Sequence, residues 1–358
     1  MSRELGPGAL ADRLASLPVT IDGLAVERGS VAASGYYDGA RRPTGIAILS
    51  GPGEPNRDGD SVGSYGNCAG RGECVAWSTR DQEAFATACN RLSLPARATL
   101  GEVSLVLAEE LADPYHRAAV EGAAIDLALR QSGTNPFALA RRKAEPVAFC
   151  WSIGPDVNPF PGIEALLARS PEARIKIDVP PEGWPAETWE ALADTRRIVV
   201  ADFKRESTLD QVRLAHAALP EAWLEDPPVE VVTLDQRGEW AKRVSLDGYV
   251  LAAVDLENPE IRPAAVNVKA PRVGGWLEPL RCLEECRRRG LHAYIGGMFE
   301  VDVGRAQSRV LASLYTAAAW NDLAPLLPDE SGALASSPWE PDDRFVGFAP
   351  RDSPPAPL

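Results

Sequence analysis

From about residue 145 onward, short apolar runs recur near 147–153, 174–178, 198–202, 222–225, 243–247, 265–269, 291–296 and 314–320. The spacing is roughly 20 to 28 residues throughout. Amphipathic stretches such as Leu209–Leu219 and Leu277–Arg288 separate most of the runs. Eight strands alternating with helices at this period predict a (β/α)8-type barrel. The competing architecture, a doubly wound open sheet, wants a glycine-rich phosphate turn after its first strand. Ser152-Ile153-Gly154-Pro155 is not one.

The first 140 residues have a different texture. Ile21–Arg28 and Gly45–Leu49 read as an antiparallel strand pair, joined by a polar loop over Ser30–Pro43. A second stretch, Gly51–Gly72, is crowded with Gly, Asn, Asp and Ser and reads as flexible. Helices are predicted over Thr79–Leu92, Leu100–Ala112 and Tyr115–Ser132, the last with apolar spacing suited to a buried helix. The expected organisation is an α+β N-terminal capping domain (1–140), a barrel (141–328) and a Pro- and Asp-rich tail (329–358). The tail is expected to wrap the surface or to be partly disordered.

Composition narrows the function classes. The 358 residues carry a net charge of −14 with no run of Lys or Arg, which argues against nucleic acid and anionic membranes as partners. No apolar stretch approaches the roughly 18 residues of a membrane span. The N-terminal Met-Ser-Arg-Glu-Leu-Gly-Pro lacks the apolar core of a signal peptide, so the expected location is cytoplasmic. The six cysteines form no CxxC pair and read as buried thiols.

The chemistry gathers at strand ends, where barrels keep their reactive groups. Lys176 ends Arg-Ile-Lys, Asp202 ends Ile-Val-Val-Ala-Asp, Glu225 ends Ala-Trp-Leu-Glu, Asp247 ends Arg-Val-Ser-Leu-Asp, and Lys269 ends Ala-Ala-Val-Asn-Val-Lys. Any one of these is more often a helix cap, a salt-bridge partner or a surface group. Lys, Asp, Glu, Asp, Lys on five successive strands is a pattern. Three converging carboxylates need a counter-charge, and a divalent cation is the simple answer. All-oxygen ligation suits Mg²⁺ best, with Mn²⁺ the alternative. A lysine beside a dication and partly desolvated loses some preference for its proton and serves as a base. The expected partner is a small-molecule carboxylate, losing a proton alpha to its carboxyl group.

At these residues the chain resembles the enolase superfamily, in its muconate-lactonizing-enzyme subgroup, on the o-succinylbenzoate synthase and N-succinylamino-acid racemase branch. Arg174-Ile-Lys176 resembles that branch's second-strand Lys-x-Lys. Val266-Asn-Val-Lys269 with Arg272-Val-Gly-Gly275 is similar to its sixth-strand motif. Gly296-Gly-Met-Phe-Glu300 followed by Gly304-Arg-Ala306 resembles its seventh-strand signature, and His116–Asp126 resembles the helix ending its cap.

The resemblance implies Lys176 and Lys269 as catalytic residues and Asp202, Glu225 and Asp247 as magnesium ligands. It extends to substrate-binding positions at Arg174, Asn267, Gly297 and Met298, with Ser34 in the first of two lid loops. It implies o-succinylbenzoate synthase-like dehydration, with racemisation of N-acylated amino acids or another cycloisomerisation or epimerisation of the subgroup as alternatives, and barrels that commonly self-associate. Dipeptide epimerisation is not favoured, because the eighth-strand region reads Asn321-Asp322-Leu323 and not the Asp-x-Asp expected for binding a free amino group. A non-catalytic binding module on the same fold is the reading from another class.

Three departures stand out. Arg174 replaces the first lysine of the second-strand pair, keeping the charge but unable to serve as a base. Lys204 occupies the second position after Asp202, where the branch has asparagine, and is expected to turn outward at the strand end. It would otherwise weaken metal binding or contact substrate. Gly248 follows Asp247 where an acid is usual.

Overall fold

The computed structural model describes residues 4–32, 41–55, 65–233, 239–258, 263–324 and 337–348. The N-terminal half comprises α1 (Pro7–Ala15), β1 (Pro18–Thr20), β2 (Gly23–Ala32), β3 (Arg41–Pro55), β4 (Tyr65–Cys74), α2 (Thr79–Arg91), β5 (Arg97–Thr99), α3 (Leu100–Glu110), α4 (Pro114–Gln131) and α5 (Pro136–Ala140). Strands β2, β3 and β4 form an antiparallel sheet, and β1 pairs with β5.

The described parts of the stretches read as loops are sheet. Residues 30–32 and 41–43 extend the β2–β3 ladder, and 51–55 and 65–72 belong to β3 and β4. The middle of each lid loop, Ser34 included, lies outside the described residues. Glycine misled the reading because it serves close packing here. A Cβ at Gly70 or Gly72 would run into the α4 backbone, at Ala123 and Leu127 or at Ala119 and Ala123. The two glycines, two residues apart on one strand face, let β4 lie directly on α4.

Helix α4 starts where Asp113 accepts the Tyr115 N–H and Pro114 opens the first turn. Every residue from Ala119 to Arg130 is buried, as expected of a helix covered on all sides. It lies between the N-terminal sheet and the second half of the chain, and its carboxylates tie the two together. Glu121 accepts the backbone N–H groups of Trp276 and Leu277, and Asp126 accepts those of Arg71 and Phe348.

The second half alternates strand and helix: β6 (Trp151–Ile153), α6 (Phe160–Arg169), β7 (Ile175–Asp178), α7 (Ala186–Asp194), β8 (Ile198–Asp202), α8 (Leu209–Ala218), β9 (Trp223–Glu225), α9 (Val229–Thr233), β10 (Val244–Leu246), β11 (Ala265–Val268), α10 (Ala270–Val273), α11 (Leu277–Arg289), β12 (His292–Ile295) and α12 (Val303–Tyr315). The seven strands form one parallel sheet in chain order.

The eighth run, 314–320, is not a strand. Amphipathic α12 extends through Tyr315, and the closing element is a pair of parallel bridges further on, Phe149 with Asn321 and Gly296 with Asp322. Asn321 is fully buried, and its side chain does work that backbone does elsewhere in the sheet. It donates to the Ala148 carbonyl at 2.9 Å and accepts the Ile295 N–H at 2.8 Å.

The described part of the tail is anchored at two points. Trp339 pairs with Val147, and Phe348 is buried with its ring centroid 4.7 Å from that of Trp276. Among the described residues no helix is long and apolar enough to cross a membrane. All six cysteines are buried.

Candidate active site

A cavity of about 580 Å³ opens at the C-terminal ends of the barrel strands. Lys176, Asp178, Lys204, Lys269, Arg272 and Asp322 give it polar floor and walls. Trp77 and Phe299 meet edge-to-face at 5.4 Å on its rim, one from the segment after β4 and the other from the loop after β12.

The three predicted acids come together. Asp202, Glu225 and Asp247 stand at the ends of the adjacent strands β8, β9 and β10, each buried, with one oxygen from each within 4.8 Å of the others. Three buried carboxylates at that separation are a donor set a hard divalent cation fits.

Their counter-charge in this structure is protein. Lys176 Nζ lies 2.9 Å from Asp202 Oδ2 and also pairs with Glu225. Lys269 Nζ donates to Asp247 Oδ2 at 2.9 Å, and Arg272 holds the other Asp247 oxygen. The Glu225 carboxylate also accepts from Asn267 Nδ2 and the Tyr294 hydroxyl.

Burial pushes the Glu225 carboxyl up to about 8 against the pull of Lys176, with Asp202 and Asp247 adding to the rise. Burial alone would lower Lys176. The charges of Asp202, Glu225 and Asp322 outweigh it and hold its ammonium well above the usual lysine range. Among these acids alone the lysine holds its proton; the base role expected of it belongs to a lysine beside a dication, a different charge balance.

Several site residues sit differently from the sequence reading. Arg174 is not in this cavity. It lies one pleat before Lys176, roughly 6.6 Å down the strand, where it donates to the Arg196 carbonyl and covers the Trp320 ring beside a separate cavity at the other end of the barrel. Asn267 is buried and spends its amide on Glu225, away from the cavity lining. Gly297 and Met298 do line it.

Lys204 does not turn outward. The chain leaves β8 in a left-handed turn, with φ +51° at Lys204, and the ammonium folds back to 2.5 Å from Asp202 Oδ2 and 3.1 Å from Asp178 Oδ1. At Gly248, the space a side chain would take is filled by Asp226, which accepts the Asp247 and Gly248 N–H groups at 2.7 Å each.

Asp178, Arg272 and Asp322 were missed. Asp178 follows Lys176 by two on a buried strand and was readable by alternation. Arg272 was in view within its motif. Asp322 stood in the Asn321-Asp322-Leu323 segment taken as the eighth-strand region but was given no role, and no hydrophobic run marks it, because the closing strand is two bridge residues long. Its Oδ2 lies 3.3 Å from Lys176 Nζ and 3.9 Å from Lys269 Nζ, and Ser152 donates to Oδ1 at 2.6 Å. Burial raises the Asp322 carboxyl, but Lys176 and Lys269 more than reverse this and hold it at about 2.

The parallel barrel under an α+β cap is a fold this chain shares with solved structures. The fold superposes on dipeptide epimerase from Methylococcus capsulatus complexed with Mg and the dipeptide L-Arg-D-Lys, with a TM-score of 0.68 and 19% identity over 88% of this chain and 92% of that one. It likewise superposes on muconate lactonizing enzyme from Pseudomonas putida, with a TM-score of 0.64 and 15% identity over 85% and 88% of the two chains.

Within that architecture the chain belongs to the family described as a domain of unknown function, DUF8230. Its N-terminal domain matches residues 12–138 and its C-terminal domain residues 143–329. Curated relatives include o-succinylbenzoate synthase of Geobacillus kaustophilus, 28% identical over 63% of this chain and 60% of the relative. N-succinylamino acid racemase of Amycolatopsis sp is 32% identical over 39% and 41%. The match thus spans less than two thirds of either relative's length.

Proposed function

We propose that this protein is a metal-dependent enzyme that removes a proton alpha to a substrate carboxylate, with dehydration of the o-succinylbenzoate synthase type as the leading reaction. The observation that carries the reading is the convergence of Lys176, Lys269, Asp202, Glu225 and Asp247 at one end of the barrel, the two lysines lining the cavity itself. The o-succinylbenzoate synthase relative supports the choice of reaction.

Asp202, Glu225 and Asp247 would hold Mg²⁺, with Mn²⁺ as the alternative. When bound, the cation supplies Lewis acidity to the substrate carboxylate and offsets the carboxylate field that keeps the proton on Lys176. Lys176 then takes the α-proton and returns it to a leaving hydroxyl on the same face. Lys269 stays cationic and stabilises the negative charge left on the substrate. Arg272 and Arg305 supply further positive charge to the cavity, and Trp77, Trp151 and Phe299 an aromatic wall. That lining suits an acid with a flat or apolar body.

The runner-up is racemisation, favoured by one feature: both lysines reach the same Asp322 carboxylate, a symmetrical setting for proton exchange on two faces. The racemase relative adds to it. A non-catalytic module is the reading favoured by the Lys204 ammonium on Asp202.

The test is NMR in D₂O, with Mg²⁺ or EDTA, on succinylated amino acids and the cyclohexadiene precursor of o-succinylbenzoate. Metal-dependent loss of water is expected from the latter. Metal-dependent α-deuterium incorporation without it would favour racemisation. Retention of every α-proton and every hydroxyl with Mg²⁺ present, on a protein that binds the ion, would defeat the enzymatic reading.

A further inference from the structure

Two ammonium groups meet at one oxygen of Asp202. Lys176 Nζ is 2.9 Å and Lys204 Nζ 2.5 Å from Oδ2. The other oxygen, Oδ1, accepts the Lys204 backbone N–H at 3.0 Å. Both oxygens of the carboxylate are therefore engaged by protein donors, and a cation binding at Oδ2 would share or displace an ammonium there.

The two lysines differ in how they are held. Lys176 projects from the middle of a buried strand and is 1% exposed. Lys204 stands on a left-handed turn beyond the strand, and its side chain is 41% exposed to the cavity. It can leave Asp202 for the cavity without any strand residue moving. While it stays, it satisfies Asp202 and the neighbouring buried Asp178 together, so the acid cluster is stable without an ion.

We propose that Lys204 is a built-in competitor of the divalent cation. Its ammonium and the ion need the same oxygen of Asp202, so metal binding displaces Lys204, and the affinity of the site is set by that exchange. This rests on the metal part of the reading above and is independent of which reaction follows. Like charges a few ångströms apart in a buried setting repel strongly, so the ammonium remains a cost to the bound ion even after it has moved aside. The site then fills only at high ion concentration, and a substrate anion that draws Lys204 into the cavity would favour filling.

The experiment uses the full chain, stripped with EDTA and dialysed, and titrates it with MgCl₂ alone by calorimetry and by thermal unfolding. Wild type is compared with Lys204→Asn, Lys204→Gln and the charge-keeping Lys204→Arg. The two neutral variants are expected to bind Mg²⁺ at least about tenfold more tightly than wild type. They are also expected to melt lower without metal and to gain more from it. Lys204→Arg is expected to stay within a few-fold of wild type.

Equal affinity in wild type and the neutral variants would overturn the competition and leave the metal site standing. Weaker binding by the neutral variants would overturn it as well and make Lys204 a support of the bound state. If none of the four proteins binds Mg²⁺, the competition and the metal reading fail together. Should a neutral variant not fold without the ion, its recovery by Mg²⁺ at concentrations that leave the wild-type melting curve unmoved reads the same gain, and absence of recovery overturns the proposal.

Discussion

Asp322 Oδ2 lies 3.3 Å from Lys176 Nζ, close enough to fix where that ammonium points. Ser152 anchors the other oxygen, and Lys269 is within 3.9 Å of the first. Asp322→Asn is therefore expected to slow α-proton exchange by about 10- to 100-fold, the usual cost of losing a group that orients a reacting one. Mg²⁺ affinity should change little, because Asp322 is outside the three-acid set. Calorimetry beside the exchange rate checks both. An unchanged rate would remove Asp322 from the proton-transfer apparatus.

Replacing either lysine with methionine keeps much of the apolar stem and removes the proton carrier. Loss of exchange by about 10²- to 10⁴-fold is expected at both positions. The stability effects should differ. Lys176 pairs with Asp202, Glu225 and Asp322, so Lys176→Met leaves several buried acids uncompensated and should cost about 3–5 kcal/mol in the metal-free protein. Lys269→Met should cost less, because Arg272 still holds Asp247. Denaturant unfolding without metal gives the comparison.

Glu73, at the end of β4, accepts the N–H groups of Val301, Asp302 and Gly304 at the start of α12. Burial pushes its carboxyl from the ordinary 4.5 to about 7, opposed by those N–H groups and by Arg42, and reinforced by Glu300. The folded protein thus holds a proton between these values that the unfolded chain releases. Stability from this group is greatest at low pH, falls as pH rises from about 4.5 through 7, and is flat beyond. The full change is of order 3 kcal/mol. Glu73→Gln should flatten that part of the stability–pH curve. The same slope in both proteins would show that another group titrates.

Two packing variants probe the contact of β4 with α4 and the docking of the C-terminal segment. Gly72→Ala would drive a methyl into the Ala119 carbonyl and the Ala123 nitrogen of α4, backbone atoms that cannot step aside. Phe348→Ala would empty the buried ring position against Trp276, at an expected cost of about 3–5 kcal/mol. Both should lower the thermal midpoint. If Phe348→Ala melts like wild type, the C-terminal segment is not part of the cooperative unit.

The barrel strands were legible because parallel strands covered on both faces read as unbroken apolar runs. β7 and β11 are buried at every residue. The acids and lysines were legible because each ends such a run. What escaped was carried by polar or small residues. The closing strand depends on the Asn321 amide, which no hydrophobic pattern marks. Gly70 and Gly72 looked like loop composition but are contact surfaces. Lys204 was expected to turn outward where the strand ends, yet the left-handed turn at that end folds its ammonium back onto Asp202. Arg174 obeyed alternation but lay too far down the strand.

Among the described residues, the parallel sheet is closed into a ring by the isolated bridges of Asn321 and Asp322. Every other neighbouring pair of strands shares a longer ladder or a helical crossover, so this seam is where the ring most easily breathes. Asp322 belongs both to the seam and to the pair of lysines. A widening of the ring would draw its carboxylate away from Lys176 and Lys269, and a ligand spanning the three would stitch the ring shut. Hydrogen exchange at Gly297 and Asp322, whose N–H groups cross the seam at 3.0 and 2.9 Å, should then slow on ligand binding, reporting occupancy of the cavity from the rigidity of the scaffold.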